Sequence, residues 1–193
     1  MLNRVRPLKE GDIPQLQVIY GRAFAGYPWY EELSEETIRN RWETQRRFPG
    51  FRCLVCENDE SELAGGHWSD EITLSRLEAE RGKALADWAC LRRFSESASA
   101  RQARKNTKGF PLVWERELIV DPDFQNKGLG KLLRGEFLRK VEERFSHALI
   151  LTRLREDNFP SIKVARFHGY QKTGLTVLAS QKPLRHEYWY KKL

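Results

Sequence analysis

The chain has 193 residues, 40% of them hydrophobic and 32% charged, with a formal net charge of +7. This length suits one domain spanning residues 1–193, with room for an insertion and for a core that needs no staples. The composition excludes a disordered chain, and no apolar run approaches the roughly 20 residues that span a bilayer. Met1 to Asp12 lacks the apolar stretch of a signal peptide, so a cytoplasmic protein with no membrane partner is expected. A basic balance suits an anionic partner. Many Lys and Arg are followed closely by Glu or Asp, however, as on solvated helix faces.

Asn3 to Leu8 reads as a first strand. Asp12 is placed to cap a helix with Pro14 in its first turn, and Ile13, Leu16, Ile19, Tyr20, Ala23 and Phe24 repeat at helical spacing. Gly26 and Pro28 break it; Ser34 caps a second helix that Pro49 and Gly50 end. Phe51 to Glu57 and Leu63 to Ser69 form a hairpin across the turn residues Asn58 to Ser61. Cys53 and Cys56 are formally a C-x-x-C pair, but on a strand they point to opposite faces. No second pair completes a zinc site, so the cysteines read as structural and no metal is expected.

Residues 70–109 read as an insertion. Ile72, Leu74, Leu77, Leu85, Trp88 and Leu91 suggest helix, and Ser95 to Lys108 is polar and basic. Pro111 to Val120 is a strand, Asp121 to Phe124 a turn, and a helix follows from Lys127 with Leu129, Leu132, Leu133, Phe137, Leu138 and Val141 on its face. Ala148 to Leu154 is a strand, Ser161 to His168 a helix stopped by Gly169, and Leu175 to Ala179 and Glu187 to Lys191 are the last strands. Strands alternating with helices after residue 110 predict a mixed α/β sheet with some parallel pairing.

The segment Glu117 to Gly130 carries the chemistry: a strand ends, the chain turns, Gly128 and Gly130 appear, and a long helix begins. The first N–H groups of a helix have no internal partner and lie at the positive end of its dipole. Two glycines let a ligand approach the backbone, and Lys127 and Lys131 add charge, so the turn is a cradle for an anion such as a pyrophosphate. A Walker A loop is absent, and Leu133 stands where a dinucleotide fingerprint has Gly or Ala.

Gln125-x-x-Gly128-x-Gly130 after Val120-Asp-Pro122 resembles the central motif of the GNAT superfamily of acyl-CoA-dependent N-acyltransferases. Val5 to Leu8 with Asp12 is similar to the family's opening, Leu63 to Gly66 to its third strand, and Asn158, Ser161 and Gly169-Tyr170 to its closing motif. The resemblance covers nearly all of the chain except about 70–109. It implies a centrally splayed sheet with flanking helices, the insertion falling between the third and fourth strands. It also implies that acetyl-CoA is the acyl donor. Backbone groups of Leu118, Ile119 and Val120 would bind the pantetheine arm, and Gln125, Asn126, Lys127, Gly128, Leu129, Gly130 and Lys131 the pyrophosphate. Asn158 would contact the cofactor, with Ser161 assisting.

Aminolysis of a thioester needs a base for the amine proton. The family often has an acidic residue near Glu117, which is therefore the first candidate; Glu115 shares its face under period-two alternation and could raise its pKa. Ala165 occupies the position of the family's common acid tyrosine, so the leaving-group acid is open among His168, Tyr188 and Tyr190. Phe24, Tyr27, Trp29 and Tyr30, with Glu31 and Glu32, would form an acceptor wall suited to a cationic amine, or else core packing. The acceptor is a small-molecule or peptide amine, and the insertion suits either a lid or a homodimer contact. Two other readings stand beside this one. The first is a non-catalytic acyl-CoA-binding regulator, suggested by Ala165. The second is a nucleic-acid binder built on Arg92, Arg93, Arg101, Arg104 and Lys105.

Overall fold

A computed structural model of the chain describes residues 4–58, 60–88, 91, 111–178 and 184–193. Strand β1 (Arg4–Pro7) is followed by helices α1 (Ile13–Ala25) and α2 (Glu35–Arg46). Strands β2 (Arg52–Glu57) and β3 (Leu63–Glu71) come next, then the short helices α3 (Leu74–Arg81) and α4 (Lys83–Ala86). After β4 (Leu112–Val120), helix α5 (Leu129–Arg144), β5 (Leu149–Arg155), helix α6 (Phe159–Phe167), β6 (Gln171–Leu178) and β7 (Arg185–Lys192) complete the order. The strands form one mixed seven-stranded sheet in the order β1-β2-β3-β4-β5-β7-β6. Among the described residues only β4 and β5 run parallel.

Helices cover both faces, as the hydrophobic patterns require. One face packs Leu129, Leu133, Phe137 and Val141 of α5 against Val113, Ile150 and Cys56. On the other, Leu16, Ile19, Tyr20 and Phe24 of α1 and Trp42 of α2 pack against Cys53, Val55 and Trp68. A third cluster joins Ile72, Leu77, Leu85 and Leu91 to Trp114, Leu151 and Tyr188. Cys53 and Cys56 thus fall in the cores of opposite faces, both reduced and buried.

Several expectations change. Asp12 makes no capping bond to α1; its carboxylate instead accepts from the Lys9 N–H at 2.6 Å and binds Arg6. Strand β3 runs on to Glu71, because Asp70 and Glu71 still pair with Trp114 and Val113 of β4, so the insertion starts after Glu71. Of its apolar positions Leu74 and Leu77 lie in α3 and Leu85 in α4, but Ile72 and Trp88 lie outside both helices, and Ser95 to Lys108 lies outside the described residues. Strand β6 begins earlier than expected, at Gln171.

The β3–β4 ladder carries a bulge: Trp68 pairs with Glu117 but Ser69 pairs with Glu115, so Arg116 is an extra residue. Before it, Val113 faces α5 and Trp114 the opposite side; beyond it, Leu118 and Val120 face α5 and Ile119 faces α1. The phase slips by one residue, and Glu115 and Glu117 therefore lie on opposite faces. Their expected common face is overturned.

Where β3 and β4 meet, a Cβ on Gly65 would stand 2.5 Å from the Ile119 carbonyl oxygen, closer than backbone atoms tolerate. Gly65→Ala should therefore destabilise the fold by about 1–3 kcal/mol in urea titration. Gly26→Ala, with nothing within 4 Å of its added Cβ, should stay within about 0.5 kcal/mol of the parent.

Candidate functional site

Strands β4 and β5 pair only over Leu112–Trp114 and Leu149–Leu151. At the end of this short ladder the Thr152 hydroxyl donates to the Glu115 carbonyl at 3.3 Å, and the strands then part. From Glu115 onward the edge of β4 that faces β5 has no strand partner. The fork opens into a cavity of about 400 Å3 lined by Phe24, Tyr27 and Trp29, by the turn before α5 and by the start of α6.

The turn is held from outside. Arg22 reaches from α1 to Asp121 and Asp123, each at 2.8 Å, and the Asp121 carboxylate accepts the Asp123 N–H at 3.0 Å. Asn126 and Gly128 have φ of 61° and 83°. The left-handed conformation makes glycine the favoured residue at 128, and an added Cβ would meet nothing there within 4 Å. The Leu132 N–H bonds to the Gly128 carbonyl at 3.1 Å, so the N–H groups of Leu129, Gly130 and Lys131 precede the first bond of α5 and have no acceptor in the helix. Lys131 and Lys163 line the same end of the cavity. Free N–H groups, a helix dipole and two ammonium groups together favour a polyanion. Asn158 caps α6, its side-chain oxygen accepting from the Ser161 N–H at 3.2 Å, and both residues line the cavity.

Glu115 and Glu117 are the two acidic residues that line the cavity among the described residues, and the bulge gives them opposite surroundings. On the α5 side Glu115 is 2% exposed. Its Oε1 accepts from the Arg134 Nε at 2.7 Å and lies 2.7 Å from the Nε2 of buried His67. Burial pushes this carboxyl up, but Arg134 and His67 outweigh it and hold it down at about 2. Glu117 has no such bound partner among the described residues. Burial pushes it up to about 7, against the pull of Arg153, Arg41, Arg81 and Arg116. A carboxyl near 7 is matched to taking a proton at neutral pH, whereas one near 2 is not.

The sequence matches the family model of the Acetyltransferase (GNAT) family over residues 16–170. This chain belongs to that family. It is accordingly an acetyl-CoA-dependent N-acyltransferase. No curated protein matches it in sequence. Among solved structures it is similar to the phosphinothricin acetyltransferase of Sinorhizobium meliloti in complex with acetyl-CoA, with a TM-score of 0.66 and 16% identity over 100% of this chain and 89% of that one. It is also similar to the ribosomal-protein-alanine N-acetyltransferase of Brucella melitensis, with a TM-score of 0.64 and 19% identity over 98% of this chain and 99% of that one. The spermidine/spermine N-acetyltransferase of Vibrio cholerae shares the fold as well, with a TM-score of 0.60 and 14% identity over 99% of this chain and 95% of that one.

Of the residues that the GNAT resemblance implies for binding the donor, all but Lys127 line the cavity. Lys127 turns away, its ammonium donating to the Asp123 carbonyl at 3.0 Å. Gly130 lies inside, where an added Cβ would meet Val164 at 3.6 Å and Leu118 at 3.9 Å, both ordinary contacts. The candidate acids lie elsewhere: the His168 Nε2 is 2.9 Å from the Lys131 carbonyl, and Tyr190 donates to Gln171 at 2.6 Å. Buried Tyr188 packs in the third core cluster, and none of the three lines the cavity. Phe24, Tyr27 and Trp29 line it, but Tyr30, Glu31 and Glu32 do not, so the carboxylate part of the expected acceptor wall is absent. The structure adds Arg134, Thr152, Arg153 and Lys163 to the lining. Arg134 follows Gly130 by one helical turn, a spacing that could have placed it on the cavity side of α5.

Glu115 is ionised in a buried pair, so its contribution to stability is present above its unfolded value near 4.5 and is lost as the pH falls toward about 2. Arg134→Met would leave that charge without its main partner. Urea denaturation at pH 7 should show a loss of about 3–5 kcal/mol.

Proposed function

We propose that the chain moves the acetyl group of acetyl-CoA to a primary amine by direct attack, with Glu117 as general base. The observation that carries this is the position of Glu117 at the fork, with a carboxyl pushed up to about 7 in a cavity whose other carboxylate is bound by Arg134. Acetyl-CoA supplies a thioester carbonyl, and the S. meliloti relative of the same fold is in complex with it. The open edge of β4 at Leu118, Ile119 and Val120 offers main-chain groups to the amides of the pantetheine arm. Gln125 to Lys131 and the ammonium of Lys163 suit the phosphates; Asn158 and Ser161 flank the arm from α6.

In the reaction the amine nitrogen forms a bond to the carbonyl carbon and the carbon–sulfur bond breaks. The ammonium proton passes to Glu117 and from there to solvent. As the tetrahedral adduct collapses, the thiolate leaves with the electron pair of the broken bond, the nitrogen gives its second proton to water, and the thiolate takes up a proton from water in turn. Glu115 is withdrawn from the proton transfer and acts on position, anchoring β4 to α5 at the point where the fork begins. Reduced, buried Cys53 and Cys56 suit a reducing compartment, and we place the reaction in the cytoplasm. No described helix is long and apolar enough to cross a membrane. The basic cluster behind the nucleic-acid reading lies outside the described residues.

Calorimetric titration should show acetyl-CoA binding to the parent chain and to Glu117→Gln with Kd values within about threefold, while kcat for amine-dependent thiol release falls by about 10²–10⁴ in the variant. Equal turnover would remove Glu117 from the chemistry. Gly128→Glu, checked for an intact fold by circular dichroism, should lose acetyl-CoA binding. The pH profile has a definite sign: protonation disables the base, so log kcat/KM should fall below about pH 7, and this limb should vanish in Glu117→Gln. The same shift opposes folding. A carboxyl raised in the folded state destabilises it as the pH climbs from about 4.5 through about 7. Glu117→Gln should therefore raise Tm more at pH 8 than at pH 4.5.

A further inference from the structure

On the face of the sheet that carries Glu117 stand the arginines Arg41, Arg81, Arg116, Arg153 and Arg155, and among the described residues all of these but Arg153 have an ion-pair partner. Arg116 of β4 is held by Asp70 and by Glu80 at 2.7 Å. Arg81 of α3 lies 4.8 Å over the Trp114 ring with Glu80 at 3.9 Å, and Arg41 of α2 is 3.9 Å from Glu31. Arg155 binds Asp157 at 2.6 Å and stacks 4.7 Å over Trp29. Arg153 lines the cavity and makes no ion pair among the described residues.

The phosphates of the donor do not account for Arg153. The cradle for them is at the N-terminus of α5, on the other face of the sheet. On β5, Leu151 belongs to the third core cluster and Arg153, two residues on, shares its face. Its partner on β7, Tyr188, is in that same cluster. Arg153 therefore stands across the fork from Glu117, on the side from which an acceptor must come if the donor occupies the fork. Its field is felt by its neighbours: burial and then Arg153 lead the causes that lower His186 to about 4 and Arg81 to about 10.

We infer that the acceptor carries an anionic group, carboxylate or phosphonate, close to its amine, and that Arg153 binds this group while Glu117 receives the amine proton. The inference rests on the acyl transfer proposed above. A dicationic amine would find a poor site here. Glu115 is neutralised by Arg134, Glu31 and Glu32 are outside the cavity, and Glu117 alone would face the second ammonium group.

The test measures thiol release from acetyl-CoA with amino acids, with their 1-aminoalkylphosphonate analogues, and with the matching decarboxylated amines such as agmatine, cadaverine and tyramine. At least one anion-bearing amine should exceed its decarboxylated partner about tenfold or more in kcat/KM, and the two anionic series separate carboxylate from phosphonate. Arg153→Gln should raise KM for that amine about 10–100-fold, the range of a charge-assisted hydrogen bond, while leaving the calorimetric Kd for acetyl-CoA unchanged. Equal or better turnover of the decarboxylated amine in every pair would overturn the inference, as would a preference that survives Arg153→Gln. If no amine of any charge releases thiol although acetyl-CoA binds, acyl transfer fails and this inference with it.

Discussion

The parting of β4 from β5 is the constraint on which the site depends. A sheet that stops pairing leaves main-chain donors and acceptors unsatisfied at its own centre, which folded proteins avoid. Here the exposed edge is created by the end of a three-residue parallel ladder and fixed by the Thr152 bond to the Glu115 carbonyl. The side chain of the same Glu115 is held by Arg134 and His67, which tie β4 to α5 and to β3. One residue thus terminates the ladder with its backbone and anchors the strand with its carboxylate. A buried ion pair is rarely a net source of stability against an apolar replacement, so its retention at the fork fits a role in holding geometry. The unsatisfied edge that results is what an extended, amide-bearing ligand can complete.

The bulge at Arg116 turns this fork into a site with two different acids. Without the extra residue, Glu115 and Glu117 would share a face and a set of neighbours. With it, one carboxyl meets a guanidinium and an imidazole at hydrogen-bond distance and is held at about 2, while the other is half-buried, has no bound partner among the described residues and rises to about 7. In the proposed mechanism two carboxyls two residues apart on one strand would thereby take the separate tasks of anchor and base.

The turn between β4 and α5 was legible in the sequence because glycine spacing, strand end and helix start are local features, and Gly128 adopts the left-handed conformation that favours glycine. Strand and helix order was readable from periodicity for the same reason. The bulge was not readable. It depends on the register between β3 and β4, residues nearly 50 positions apart in the chain, and nothing around Arg116 marks it; the alternation rule therefore placed Glu115 on the wrong face. Asp12 misled in a similar way. It has the chemistry of a helix cap, but Arg6 on the preceding strand and the Lys9 N–H claim its carboxylate first. Arg134 and Arg153 look like ordinary solvated basic residues in sequence; only the fold brings one against Glu115 and leaves the other facing the cavity.

The balance at Glu117 also shows how an acceptor would act on its own base. Burial is the largest influence on this carboxyl and raises it, and Arg153 is the strongest of the charges that oppose that rise. An acceptor anion bound at Arg153 would cancel much of that opposing field and exclude water from the fork at the same time. Both changes move the carboxyl further up, so Glu117 would take the ammonium proton more readily with the acceptor in place than in the free enzyme. A cationic acceptor would do the reverse, holding Glu117 ionised as a partner in an ion pair and weakening it as a base. The arrangement of charges around the fork thus bears on turnover as well as on binding, because the group that recognises the acceptor is the one that tunes the base.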